Sequence, residues 1–217
     1  GSFSNTEYQQ KAIFGEVYYQ LADQWEVSLG ARHFDYDRED SRGNTLDESG
    51  NAIFRPAIDA GKEGQIFKAG LNYTPNDDTL LYAQWSEGFR LGKGQIIPPA
   101  AAGCDLNNDG ELDDVPGAKI VDQIAPDMTE NFELGAKFSL LNNRLTLNTA
   151  IYHITWSDLP NVVGSSPCRI INNIGEAQSE GVEVELAYLL NESLKMDVVV
   201  AYNDATITEA TVPSGLE

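Results

Sequence analysis

Along most of this chain apolar and polar residues alternate one for one, and they do so in paired stretches separated by very short breaks. In the first stretch Ile13, Gly15, Val17, Tyr19 and Leu21 share one side, and Glu16, Tyr18 and Gln20 share the other. A period of two fits an extended strand with one apolar face. After Ala22-Asp23-Gln24 the pattern resumes, with Trp25, Val27, Leu29 and Ala31 against Glu26, Ser28, Gly30 and Arg32. So short a break leaves room only for a hairpin turn. Similar pairs flank Thr74-Pro75-Asn76-Asp77-Asp78, Leu141-Asn142-Asn143 and Asn191-Glu192. Four hairpins are therefore expected at about 10–39, 63–91, 129–156 and 178–207, joined by long polar loops at about 40–62, 92–127 and 157–176. The return strand of the third hairpin is clean at Leu145 and Leu147 but blurs through Ala150-Ile151-Tyr152, where a bulge would switch its parity.

Strands of roughly ten to fifteen residues exceed the usual soluble length. Strict alternation of short and long connections is the asymmetry of an outer-membrane barrel, with short periplasmic turns and long external loops. The fold expected is all-β: an antiparallel up-and-down meander of about eight long strands of transmembrane barrel type, either part of a larger barrel or closed as a small one. Tyr19, Trp25, Tyr73, Phe138 and Tyr188 lie beside the short turns on the apolar side. Rings repeated at one end of strand after strand form a girdle at headgroup level, here the periplasmic rim. The opposite face carries Glu16, Glu26, Arg32, Lys68, Glu133, Lys137, Glu183, Glu185 and Asp197, as a wet or plugged lumen requires.

Composition narrows the classes. No run approaches the ~18 apolar residues of a spanning helix. A net charge of −20, from 34 acidic and 14 basic residues, argues against nucleic acid as a partner. Gly1-Ser2 and Leu216-Glu217 read as cloning remnants, so the chain is expected to be a piece of something longer.

Four segments carry a family resemblance. Tyr82-Ala83-Gln84-Trp85-Ser86-Glu87-Gly88-Phe89-Arg90 resembles the Tyr-Ala-x-x-Ser-x-Gly-Phe-Arg strand of TonB-dependent outer-membrane receptors. Pro126 to Lys137 is similar to the Pro-Glu-x-x-x-Asn-x-Glu-Leu-Gly-x-Lys strand of that family. Arg144-Leu145-Thr146-Leu147-Asn148, with Trp156-Ser157-Asp158-Leu159, resembles the next strand and loop start. Asn173 to Glu185 resembles Asn-x-Gly-x-Ala-x-Ser-x-Gly-Val-Glu-x-Glu. The resemblance implies a barrel of about 22 strands, filled by a separate plug domain. It implies residence in the outer membrane of a Gram-negative bacterium and active uptake of a scarce nutrient, typically a ferric siderophore, sometimes cobalamin, heme or sugars. The implied partners are outer-membrane lipid, a small-molecule ligand such as an iron chelate, and the TonB complex acting through the plug. This chain has neither plug nor TonB-contacting box.

Local motifs add candidates. Asp105, Asn107 and Asp109 stand at positions one, three and five of an EF-hand-like loop, with Gly110 at six, Glu111 at seven and Asp113 at nine. Position twelve is Pro116, leaving Asp114 as a substitute ligand. The loop reads either as a calcium site or as a solvated acidic loop, and no other cofactor is called for. Cys104 and Cys168 lack zinc spacing and read either as a disulfide or as two unpaired thiols. Gly88-Phe89-Arg90-Leu91-Gly92 suits ligand contact at the lumen mouth or a strand end bending past its neighbour. His33 and His153 read as structural polar residues. No nucleophile elbow, phosphate loop or metalloprotease motif is present, so no enzyme is expected. Two alternatives stand: a stand-alone eight-stranded barrel, whose first and last strands would pair, and a soluble calcium-dependent β-sandwich for binding or adhesion.

Overall fold

A computed structural model of the chain describes residues 3–43, 45–46, 52–53, 58–95 and 103–209. The expected remnants at 1–2 and 216–217, and parts of the first two expected loops, lie outside the described residues. In chain order the strands are β1 (Phe3–Ala22), β2 (Trp25–Gly43), β3 (Thr45–Leu46), β4 (Ala52–Ile53), β5 (Ile58–Asn76), β6 (Thr79–Arg90), β7 (Lys93–Gly94), β8 (Glu111–Leu112), β9 (Val115–Lys119), β10 (Gln123–Ile124), β11 (Asp127–Leu140), β12 (Leu145–Val163), β13 (Ile170–Asn191) and β14 (Leu194–Glu209).

The eight long strands form one antiparallel sheet in the order β1-β2-β5-β6-β11-β12-β13-β14, each beside its neighbours in sequence. Register sorts the two faces. Tyr19, Val27, Leu71, Ala83, Leu134, Ile151, Val182 and Tyr202 stand in one row across all eight strands. One residue away runs Tyr18, Ser28, Gly70, Gln84, Glu133, Tyr152, Gly181 and Asn203. Because side chains alternate strictly, a single-residue slip would exchange these rows.

The short turns close with side-chain help. Asn76 Oδ1 accepts the N–H of Asp78 at 3.0 Å, and Asn191 Oδ1 accepts that of Ser193 at 2.9 Å. Leu141, Asn142 and Asn143 all have φ near +60° (55°, 55° and 62°), which Asn tolerates and Leu does not favour. The five rings sit on the apolar face beside these turns; Trp25 and Tyr73 are register partners, stacked with centroids 4.3 Å apart.

Several expectations need correction. Strands β1 and β14 do not pair among the described residues, so the sheet is open and the small closed barrel fails. Closure at this strand number would crowd Glu26, Glu133, Glu183 and Glu185 into one narrow interior, where unpaired charge is costly. The sandwich fails too, because the long strands make one sheet rather than two. No bulge interrupts Ala150-Ile151-Tyr152: these residues pair without a break with Gly135, Leu134 and Glu133. The irregularity lies later, between Trp156 and Pro160, where Asp158 has φ +57°. The expected loop at about 157–176 is therefore mostly strand, since β12 runs to Val163 and β13 begins at Ile170.

Strands of 19 to 22 residues, such as β5, β12 and β13, are much longer than the ~9–11 needed to cross a bilayer. The surplus extends away from the short turns. The apolar face of the sheet stays open, with Ile13 73% and Val17 68% exposed. The buried core sits elsewhere, in the long connections, where Leu112, Val115, Ala118, Val163 and Ile170 pack together.

Candidate functional site

Beyond the apolar band, the polar face of β2 carries Phe34 and Tyr36, only 3% and 2% exposed. The chain leaving β6 is what covers them. Phe89 stacks on Phe34 with centroids 3.8 Å apart. The Gly92 N–H donates to Tyr36 Oη at 3.0 Å, and the Gly94 N–H to Asp40 Oδ2 at 3.2 Å. Glycine is required by the approach: a β-carbon on Gly94 would lie 2.6 Å from the Ile58 side chain, and one on Gly92 would overlap the carbonyl of Ile124. The external connection thus folds inward over the lumen-facing wall. Burial raises the pKa of Tyr36, so its hydroxyl stays neutral.

Three amide side chains stitch this connection to β13. Gln95 Nε2 donates to the carbonyls of Val121 and Ile171, both at 2.8 Å, while its Oε1 accepts the N–H of Ile171 at 2.8 Å. Asn172 donates to the carbonyl of Lys119 at 2.8 Å. Asn173 accepts the N–H of Ala125 at 2.9 Å and donates back to the Ala125 carbonyl at 3.0 Å. The two-residue strands β7 and β10 pair beside them.

A disulfide, Cys104–Cys168, joins the same two connections at the edge of their apolar core. The acidic loop lies alongside. Asp105 accepts the N–H groups of Asp109 and Gly110, Asn107 accepts that of Asp109, Asp109 that of Glu111, and Asp113 that of Leu106. Glu111 turns to the N–H of Gly117, and Asp114 to the N–H and hydroxyl of Ser165. These contacts fold the loop on itself and tie Asp114 to the connection that carries Cys168. Among the described residues no group of three or more His, Cys, Asp or Glu side chains is placed to hold a metal ion.

Between the inward-folded connection and the ends of β2, β6, β11 and β12 lies a cavity of about 760 Å³. Arg38, Phe89, Arg90, Lys93, Asp127 and Pro160 help line it. Arg90 pairs with Asp127, whose side chain is 2% exposed, and its guanidinium lies 4.9 Å from the centroid of the Trp156 ring. Arg38 holds Asp40 in a two-pronged contact at 2.7 and 3.0 Å. Burial opposes ionisation of Asp40, but the hydrogen bonds from Arg38 and Thr6 outweigh it and hold the carboxyl below its ordinary range.

Of the residues singled out from sequence, Phe89, Arg90 and Gly92 come together at this mouth, and Cys104 and Cys168 pair with each other in the apolar core of the connections. The two histidines stay apart on the apolar side; His153 pairs with Glu180 at 2.9 Å. Sequence reasoning missed Phe34, Tyr36, Arg38 and Gln95. Two bulky aromatics on the polar parity of β2 were the available signal, since a lumen face has no reason to bury rings unless something covers them.

The sequence matches the family described as "TonB dependent receptor-like, beta-barrel" over residues 1–216. It is similar to the metal-pseudopaline receptor CntO of Pseudomonas aeruginosa, at 25% identity over 88% of this chain and 23% of that protein. Among solved structures it resembles the ferric-catecholate import receptor Fiu of E. coli K12 (TM-score 0.70, 17% identity, 95% of this chain and 29% of that one). It also resembles the siderophore receptor PiuA of Acinetobacter baumannii (TM-score 0.68, 18% identity, 95% and 26%). The chain spans about a quarter of the length of these relatives. An open meander with one apolar face, long external extensions and a polar inner wall is what a segment of a large barrel must look like. The chain belongs to the TonB-dependent receptor family of Gram-negative outer-membrane proteins, and it is a segment of the β-barrel.

Proposed function

We propose that the protein of which this barrel segment is part takes up a scarce nutrient across the outer membrane, and that the nutrient is a ferric siderophore. The observation that carries this reading is the mouth: the connection after β6 folds onto the lumen-facing wall and encloses a cavity of about 760 Å³ at the external end. That is within the ~300–1,000 Å³ range of small-molecule sites. Relatives named for siderophore and metal-chelate reception support the class of ligand. The role is binding and translocation, without covalent chemistry.

The partner inside the lumen is a plug through which TonB acts. The polar row on the inner wall, from Tyr18 through Gln84, Glu133 and Tyr152 to Asn203, is the surface such a domain would meet. The test is uptake of iron-55 as ferric siderophores by iron-starved cells carrying the full-length receptor, with and without a functional TonB. TonB-dependent uptake of at least one chelate is expected; equal uptake without the receptor overturns the reading.

A further inference from the structure

We infer that the cavity at the mouth selects an anionic metal chelate, and that Lys93 sets this charge preference. The inference rests on the uptake reading above and adds the charge of the ligand. The chain as a whole is acidic, with 34 Asp and Glu against 14 Lys and Arg. The cavity reverses that balance: its lining includes Arg38, Arg90 and Lys93 but a single carboxylate, Asp127.

The three cations are not equivalent. Arg38 is neutralised by Asp40, and Arg90 by Asp127. Their guanidinium forks keep further N–H donors for a ligand oxygen. Lys93 is exposed, and the ion pairs among the described residues give it no carboxylate. Among the described residues it is the surplus positive charge of the cavity.

Its position is held rather than loose. Lys93 lies between Gly92, tied to Tyr36, and Gly94, tied to Asp40, and its backbone pairs with Ile124. Gln95, the next residue beyond, is clamped to Ile171. The fixed backbone confines the ammonium to the cavity wall, so only the side chain's own rotamer freedom is lost on binding. The apolar walls at Phe89, Pro160 and Val162 lower the local dielectric and strengthen its pull on an anion. Donor oxygens that carry the negative charge of a metal chelate fit this arrangement.

The experiment uses full-length receptor in detergent micelles and two probes, a ferric tris-catecholate, which is anionic, and a ferric trihydroxamate, which is neutral. Affinity is read from quenching of tryptophan fluorescence. The tris-catecholate should bind about tenfold more tightly than the neutral complex, and Lys93→Gln should remove about that factor, as expected for one partly desolvated charge contact. Lys93→Arg should keep the preference, and the neutral complex should bind all three proteins alike. Added salt should weaken only the tris-catecholate, which tests the charge on unmodified receptor should a variant fail to fold. Equal binding of both chelates, or tight tris-catecholate binding by Lys93→Gln, overturns the charge assignment and leaves the uptake reading standing. Failure of cells carrying the receptor to take up either chelate or any other ferric siderophore overturns the uptake reading, and this assignment with it.

Discussion

Gly92 donates its backbone N–H to the buried hydroxyl of Tyr36 at 3.0 Å, and this bond ties the mouth connection to the barrel wall. Tyr36→Phe keeps the ring but leaves the Gly92 N–H without an acceptor, at a cost of about 1–3 kcal/mol for a buried group. The expected outcome is faster tryptic cleavage between residues 91 and 126 in folded full-length receptor, with heat-modifiable migration on gels unchanged.

A second tie of the same connection, from the Gly94 N–H to Asp40, has a pH dependence. Asp40 accepts from Arg38, Thr6 and the Gly94 N–H, and its folded pKa lies below its ordinary value. A depressed carboxyl contributes stability that is fully present above the unfolded pKa of about 3.9 and is lost as pH falls through the lower folded value. Hydrogen exchange at Gly94, corrected for intrinsic rate, should stay protected down to about pH 4 and rise below it. In Asp40→Asn that acid-dependent step should vanish.

The apolar face should reject charge where the polar face accepts it. Leu134 lies four positions from Phe138, one of the rings beside the short turns, in the row that crosses all eight strands. Leu134→Arg should destabilise the receptor by about 2–4 kcal/mol, the cost of a cation near the bilayer midplane. Reversible unfolding in lipid vesicles measures it. Glu133→Gln, one residue away, should cost about 0.5–1.5 kcal/mol by weakening the bond from the Tyr82 hydroxyl (2.7 Å).

Asp105 closes the acidic loop by accepting two backbone N–H groups. Asp105→Ala should loosen residues 105–110, seen as faster limited proteolysis there than in the unmodified receptor.

Hairpin pairing, the two faces and the ring-bearing end could be read directly, because period two and turn chemistry are local signals. Strand ends could not. Past His33 the apolar side of β2 turns to Asp35, Asp37 and Glu39, so the alternation that marks a membrane strand disappears while the ladder continues to Gly43. The Asp158 bulge was equally silent, since nothing in Trp156-Ser157-Asp158-Leu159 demands a left-handed residue. The clamp by Gln95 joins residues 76 apart in sequence, and no periodicity reports a contact at that range.

Cys104 precedes β11 and Cys168 follows β12, so their bond closes a ring that contains both strands and the turn at Leu141–Asn143. Within this ring the backbone reaches any residue by two covalent routes. A single proteolytic cut in the exposed stretch at 105–110, or at Asn142 on the opposite side of the membrane, therefore leaves one molecule, which separates into two only on reduction. An external protease that nicks this part of the mouth does not detach it from the barrel.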